Sequence, residues 1–177
     1  AIGDDDLLTP DSLQVVENLF NKYTEVDFYY LNSFHLDYGY LKNYPQPFDT
    51  HNLPENMPKL SKKEKEMECY FWDLIDHDVS FDFLLGNFLN IFKRQMWLDN
   101  TDCLDKELLN DKRVWSNFDN TCAHIKIYAN AFKNSKAFFT SKALTVNGYG
   151  VREWIDLYDF IEIVRLPEML DYYRSRG

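Results

Sequence analysis

Residues 112–134, KRVWSNFDNTCAHIKIYANAFKN, carry the clearest periodicity in this chain. Apolar side chains recur there at spacings of three and four: Trp115, Phe118, Cys122, Ile125, Ala129 and Phe132. This spacing lines up one stripe of side chains along one face of an α-helix. The stretch therefore predicts the longest helix of the fold, with this stripe buried and His124 exposed on the opposite face.

Three stretches on the N-terminal side show further helix signals. They are residues 9–23, TPDSLQVVENLFNKY, residues 61–77, SKKEKEMECYFWDLIDH, and residues 80–97, SFDFLLGNFLNIFKRQMW. In the second stretch Ser61 and Glu64 have the spacing of a capping box, which satisfies free backbone donors at a helix start. The third stretch has a broad apolar face and is expected to pack against the long helix.

The remaining stretches extend the same pattern. Short helices are expected at 102–110 and after Pro167, with a longer one over VREWIDLYDFIEIVR, residues 151–165. SKAFFTSKAL, residues 135–144, is interpreted as a turn of helix, and the following TVNGYG as a break, because glycine and asparagine tolerate positive φ. The sequence as a whole predicts an all-α fold: a single domain, residues 1–177, built as an irregular bundle of about six or seven helices.

One segment, near residues 27–58, has no clear period and is predicted to be irregular. It is rich in aromatic residues: Phe28, Tyr29, Tyr30, Phe34, Tyr38, Tyr40, Tyr44 and Phe48. Its four prolines break any helix after about residue 43. The segment either wraps the bundle and buries its rings or presents a tyrosine-rich recognition surface, since tyrosine combines large contact area with a polar tip.

Length and cysteine content limit the class of protein. A chain of 177 residues suits one domain and buries roughly 70% of its unfolded surface, so it needs no disulfide or metal to fold. The three cysteines are odd in number and form no C-x-x-C, and no N-x-S/T sequon occurs. These features favour a cytoplasmic or otherwise intracellular location. No apolar run approaches the ~18 residues of a membrane span.

The charge is acidic and uneven. The formal net charge is −10, and residues 1–58 hold ten acids and two bases, a net of −8. Residues 112–152 hold seven bases and one acid, a net of +6. An acidic protein is repelled by nucleic acid at long range, so nucleic acid is not the expected partner. Lys126 and Lys133, two turns apart, are predicted to form an exposed basic edge of the long helix.

The stretch DLIDHDVSFD, residues 73–82, raises the question of a metal or acid–base site. Asp73 and His77 are four residues apart on the expected helix, and Asp76 lies beside them. A carboxylate and an imidazole one turn apart suit a divalent metal or an acid–base pair. However, no second histidine is near and no recognised metal motif occurs. The polar junction between two helices is the favoured interpretation, so no catalytic residue, metal or cofactor is predicted.

The expected function follows from these features together. The leading hypothesis is a non-enzymatic, intracellular α-helical domain that binds a protein partner through Tyr38, Tyr40, Tyr44 and Phe48 of the acidic aromatic segment. The first alternative is an acidic inhibitor that imitates nucleic acid and occupies the groove of a basic partner. The second alternative is a small metal-dependent enzyme built on Asp73, Asp76 and His77, with His35 or His51 as a further candidate residue.

Overall fold

The computed structural model describes residues 6–37, 39, 43, 50–113, 115–149 and 158–177. They divide into two compact units. The sheet unit comprises residues 1–91 and 135–151, and the helical unit comprises residues 92–134 and 152–177. The prediction of one domain over residues 1–177 stays a prediction, because two compact units can still fold cooperatively.

The all-α prediction is wrong, because a curled mixed sheet of five strands forms much of the sheet unit. The strands are β1 (Asp6–Leu8), β2 (Phe28–Asp37), β3 (Met67–Tyr70), β4 (Asn90–Phe92) and β5 (Lys136–Tyr149). The order β1-β5-β2-β4 places β5 centrally, parallel to β2 along one edge. Its other edge pairs antiparallel with β3 near its start and with β1 near its end.

The strand β5 corrects the helical interpretation of residues 135–144, and it continues through the predicted break as far as Tyr149. Phe138 and Phe139 point to opposite faces, as successive residues of a strand must. Phe138 joins the core under helix α1 (Ser12–Lys22), and Phe139 stacks near Tyr30 with ring centroids 6.1 Å apart. Successive residues of β5, among them Phe138 and Phe139, are buried, so both faces of the strand are covered and no alternation of apolar and polar residues shows in the sequence.

The helices predicted over residues 61–77 and 80–97 are also wrong. The first stretch forms β3, followed by a 3-10 helix at Phe71–Leu74. The second forms turns, a 3-10 helix at Asn87–Leu89, β4, and only then the short helix α2 (Arg94–Leu98). Phe71, Leu74 and Leu84 of these stretches are fully buried without forming the stripe of a helix.

The predicted helix α1 is confirmed, and it covers one face of the sheet. Its core contacts include Leu19, packed with Val26, Tyr29 and Phe138, and the half-buried Ile91 of β4 joins them. Side chains alternate along a strand, so Tyr30 of β2 and Asn90 of β4 lie on the opposite face. Residues 71–86 cover that face, where Phe71 meets Phe28 edge-to-face at 5.3 Å.

The helical unit is built around α4 (Phe118–Ala131), the predicted long helix, which begins later than residue 112. Among its described residues the unit also contains α2, α3 (Lys106–Leu109), α5 (Tyr158–Phe160) and α6 (Leu166–Arg174), with a 3-10 helix at Thr101–Cys103 and a π-helix at Ile161–Arg165. Cys122, Ile125, Ala129 and Phe132 are buried as predicted. His124 is buried as well, at 8% exposure, so its predicted exposure is wrong.

Within the described residues, none of the helices combines the length and apolar composition that a bilayer-spanning helix needs. The described cysteines, Cys69, Cys103 and Cys122, are free thiols.

Candidate functional site

The segment between β2 and β3 leaves the sheet and returns to it at one place. The amide of His35 donates to the carbonyl of Pro58 at 2.8 Å, and the amide of Leu60 donates to the carbonyl of Ser33 at 2.9 Å. An isolated antiparallel bridge joins Phe34 to Lys59 between them. Residues 38–57 therefore form a segment with a closed base. Connections longer than about 15 residues are uncommon in compact domains and often carry function.

A buried asparagine fixes the base of this 38–57 segment. Asn32, 1% exposed, donates from Nδ2 to the carbonyl of Ser141 at 3.2 Å. Its Oδ1 accepts from the amide of Ser61 at 3.0 Å and from that of Ser33 at 2.9 Å. The β2–β5 register shifts at this point, where Leu31 is opposite Thr140 but Asn32 is opposite Ala143. One side chain thus joins β2, the irregular part of β5 and the returning chain.

The predicted partner-binding residues Tyr38, Tyr40, Tyr44 and Phe48 belong to the 38–57 segment but lie outside the described residues. Three aromatic residues that precede them in the chain belong to the core. Phe28, Tyr29 and Tyr30 are buried in β2, at 6% exposure or less, so this part of the aromatic segment is core.

The two aspartates of the hypothetical metal site, Asp73 and Asp76, accept hydrogen bonds from backbone amides. A carboxylate oxygen of Asp73 accepts from the amide of Tyr70 at 2.9 Å, and Asp76 accepts from the amide of Asp78 at 2.9 Å. The exposed ring of His77 lies 6.1 Å from that of Phe83. Over the described part of the chain, no group of three or more His, Cys, Asp or Glu side chains is placed to hold a metal ion. These contacts are those of carboxylates that stabilise turns.

The two lysines of the predicted basic edge have different surroundings. Lys133 is exposed. The side chain of Lys126 is only 17% exposed, and its Nζ pairs with the carboxylate of Asp119, which is 1% exposed. It also lies 5.5 Å from the ring centroid of Phe118 and 5.8 Å from that of Tyr172. The exposed edge predicted at Lys126 is therefore corrected to an internal ion pair.

A polar cluster not identified from the sequence lies on the Tyr30 face of the sheet. Asp82 accepts from the Ser80 hydroxyl at 3.1 Å and from the Gly86 amide at 2.6 Å. The Nδ2 of Asn90 donates to the Gly86 carbonyl at 2.9 Å. Among the described residues, the Asn90 Oδ1 is buried without a partner of hydrogen-bond geometry, and the buried Tyr30 hydroxyl interacts with the side chain of Ser80. In the sequence Ser80 and Asp82 belong to the stretch 73–82, which the helical interpretation treats as a polar junction between two helices.

Burial sets the acidity of this cluster. It raises the pKa of Asp82 from an ordinary 3.8 to about 6, although the Gly86 amide and the Ser80 hydroxyl lower it. Burial also raises the pKa of the Tyr30 hydroxyl well above its usual value, and the charge of Asp82 raises it further. Desolvation thus makes Asp82 a weaker acid than an exposed aspartate.

The thiols are not activated. Burial raises the pKa of Cys69 and of Cys122 to about 12, and it raises that of Cys103 despite the opposing effect of Lys126. A nucleophilic cysteine needs the opposite shift, because the thiolate is the reactive form.

Comparison of the chain with protein-family models, with curated proteins and with solved structures finds no match.

Proposed function

We propose that this protein is a non-enzymatic, intracellular binding domain that contacts a protein partner through the 38–57 segment. The observation that supports the proposal most is the closed base of that segment. The backbone bonds at Ser33 and His35, together with the Asn32 side chain, anchor twenty residues to one point of the sheet. Anchoring both ends reduces the entropy that the segment loses when it binds.

The sequence of the segment suits protein recognition. It contains Tyr38, Tyr40, Tyr44 and Phe48, and aromatic residues are enriched at the centres of protein interfaces. The segment itself holds two acids and one base, so its aromatic residues are its main recognition feature.

The edge of β3 is a less suitable docking surface. The amide of Phe71 donates to Ser135 of the chain entering β5, so the amide of Tyr70, one residue earlier, points away from β5. That outward amide is already bonded to the side chain of Asp73. A four-residue edge strand with an occupied donor is typical of sheets protected against further pairing.

Site-specific photocrosslinking tests the proposal. A photoreactive phenylalanine analogue in place of Tyr44 is expected to capture a partner in extracts of the source cells. The matched control places the analogue at Tyr70, which is 60% exposed on β3 and outside the segment. Capture at position 44 and not at position 70 supports recognition by the 38–57 segment, while equal capture at both positions opposes it.

A triple variant measures the contribution of the rings. Tyr38→Ala, Tyr40→Ala and Tyr44→Ala together are expected to weaken partner binding at least tenfold, with the thermal midpoint within a few degrees of the parent. Loss of the fold in this variant would show that the rings belong to the core and would refute the proposal.

Salt dependence separates the two binding alternatives. An acidic imitation of nucleic acid is expected to lose affinity for its basic partner steeply between low and moderate salt, because charge dominates that contact. Aromatic recognition is expected to retain most of its affinity under the same change.

The metal-dependent enzyme is tested by calorimetry with zinc, manganese and magnesium. Heat of binding that is abolished by Asp76→Asn would support it.

A further inference from the structure

Residues 158–174 of the helical unit form one continuous helix. The helix α5, the π-helix and α6 follow one another without a gap, and the residues at their junctions keep right-handed helical φ and ψ. One face of this 158–174 helix is buried at a spacing of four residues: Ile161, Arg165, Met169 and Tyr173. An α-helix repeats every 3.6 residues, so the wider turn of the π-helix helps to keep these four side chains in line.

Contacts with the rest of the unit fix the rotation of the 158–174 helix about its axis. The hydroxyl of Tyr172 accepts from Nδ2 of Asn130 on α4 at 2.8 Å. The guanidinium of Arg165 donates to the carbonyl of Trp115 from Nη2 at 2.9 Å and from Nε at 3.2 Å. With the buried face held in this way, the positions between its members are turned towards solvent.

A second apolar stripe runs along the outer side of the 158–174 helix. Ile163, midway between two buried positions, is 74% exposed. Leu166, Pro167 and Leu170 follow it at i+3, i+4 and i+7; the proline is exposed and the two leucines are half-buried. This spacing places all four side chains on one side of a helix. Single exposed apolar residues are ordinary, whereas a stripe at this spacing is the pattern by which one helix docks on another.

Acidic residues border this outer stripe. Asp159 and Glu162 lie towards its N-terminal end and Asp171 follows it, and all three are exposed. Arg174, further along, is already paired with Asp171 at 2.9 Å. Two copies packed antiparallel through the stripe would bring Glu162 opposite Asp171, and a parallel pairing would bring each acid opposite itself. A second copy is therefore disfavoured, while a basic partner has the complementary charge.

We propose that the outer stripe, Ile163, Leu166, Pro167 and Leu170, is a docking surface for a basic amphipathic helix of a partner protein. Apolar side chains of such a helix cover the stripe, and lysine or arginine beside them pairs with the bordering acids. This surface belongs to the helical unit and does not involve the 38–57 segment. Either proposal can therefore fail without affecting the other.

Titration of the full chain with two synthetic helical peptides tests the docking surface. The first peptide has leucine at the i, i+3, i+4 and i+7 positions and lysine on both sides of that stripe, and the second has glutamate in place of every lysine. The lysine peptide is expected to bind about tenfold or more tightly than the glutamate peptide. It is also expected to shift the amide resonances of residues 159–171. Equal affinities, or shifts confined to other residues, overturn the proposal.

Variants separate docking on the stripe from general attraction to an acidic protein. Ile163→Ser is expected to weaken binding of the lysine peptide about tenfold, because a side chain that the complex buries is lost. The matched control is Leu13→Ser, since Leu13 is 71% exposed on α1 of the sheet unit, and its affinity is expected to equal that of the parent. Glu162→Lys, at an exposed position, is expected to weaken binding as well. Equal affinities of the Ile163→Ser and Leu13→Ser variants refute docking on the stripe.

Sedimentation of the chain without peptide distinguishes a second copy from a partner helix. The parent and Ile163→Ser are expected to have the same association state. A dimer of the parent that Ile163→Ser dissociates would show that the stripe is covered by another copy of this chain, which would overturn the assignment to a basic partner.

Discussion

Lys126 Nζ donates a hydrogen bond to the carboxylate of Asp119 inside the helical unit, where the two side chains are 17% and 1% exposed. The other oxygen of Asp119 accepts from the amide of Asp105, at 2.7 Å. The pair therefore connects two turns of α4 to the start of α3. Because both oxygens of this buried carboxylate are hydrogen-bonded, Asp119 helps to fix the position of α3 against α4.

Breaking this pair is expected to be costly. Asp119→Asn leaves the ammonium group of Lys126 largely buried without its counter-charge, and removing one partner of a buried pair costs about 3–5 kcal/mol. Urea unfolding is expected to show a decrease of that order in the free energy of unfolding. The matched control is Asp171→Asn, which breaks an ion pair with Arg174 whose side chains are 74% and 76% exposed. It is expected to change stability little, because exposed pairs are weak.

Asn32 is expected to be the most sensitive asparagine of the sheet unit. Asn32→Ala leaves the amides of Ser33 and Ser61 and the carbonyl of Ser141 without their buried partner, which is expected to cost about 2–4 kcal/mol. Asn18→Ala provides the comparison, because Asn18 is exposed on α1 and alanine favours helix. Equal stability of the two variants in chemical denaturation would contradict the anchoring role of Asn32.

His124 is expected to contribute to the core of the helical unit. It is 8% exposed, and its ring meets that of Tyr128 edge-to-face at 5.6 Å. His124→Ala is therefore expected to lower the free energy of unfolding by about 1–3 kcal/mol, as truncations of buried side chains do. Lys133→Ala, at an exposed position just beyond α4, should have little effect. A change at His124 no larger than that at Lys133 would show that α4 is rotated from the orientation described.

The thiols are expected to resist alkylation while the protein is folded. With a pKa of about 12, Cys69 and Cys122 are thiolates in only about one molecule in 10⁴ at pH 8. Iodoacetamide at pH 8 is expected to modify them at least a hundredfold more slowly in the native protein than in urea, as followed by mass spectrometry. The native rate should rise with pH towards 12, since the thiolate is then formed. Fast native labelling of Cys122 would mean that its burial is transient.

The candidate site itself stays a prediction. Composition drew attention to the aromatic segment near residues 27–58, but the role proposed for Tyr38, Tyr40, Tyr44 and Phe48 is untested. The sequence did not show that Phe28 to Tyr30 form a core strand, because a buried strand and a recognition segment are both rich in aromatic residues. Nor did it show the surroundings of Asp82, whose acidity depends on the burial that Tyr30 and its neighbours create.

The sequence by itself determined the helices whose signals are local, α1, α4 and α6, because helical hydrogen bonds join residues four apart and the apolar stripe repeats with the same period. The tertiary structure decided the sheet. The bonds that define it join distant residues, such as Asn32 to the carbonyl of Ser141, 109 positions away. A stretch such as residues 136–149 becomes a central strand only when β1, β2 and β3 supply partners along both edges, since strand preference depends on its neighbours. The helical period likewise predicted Lys126 at a solvent-exposed edge. It is largely buried because its Nζ pairs with Asp119 and lies against the ring of Tyr172, a residue distant in the sequence.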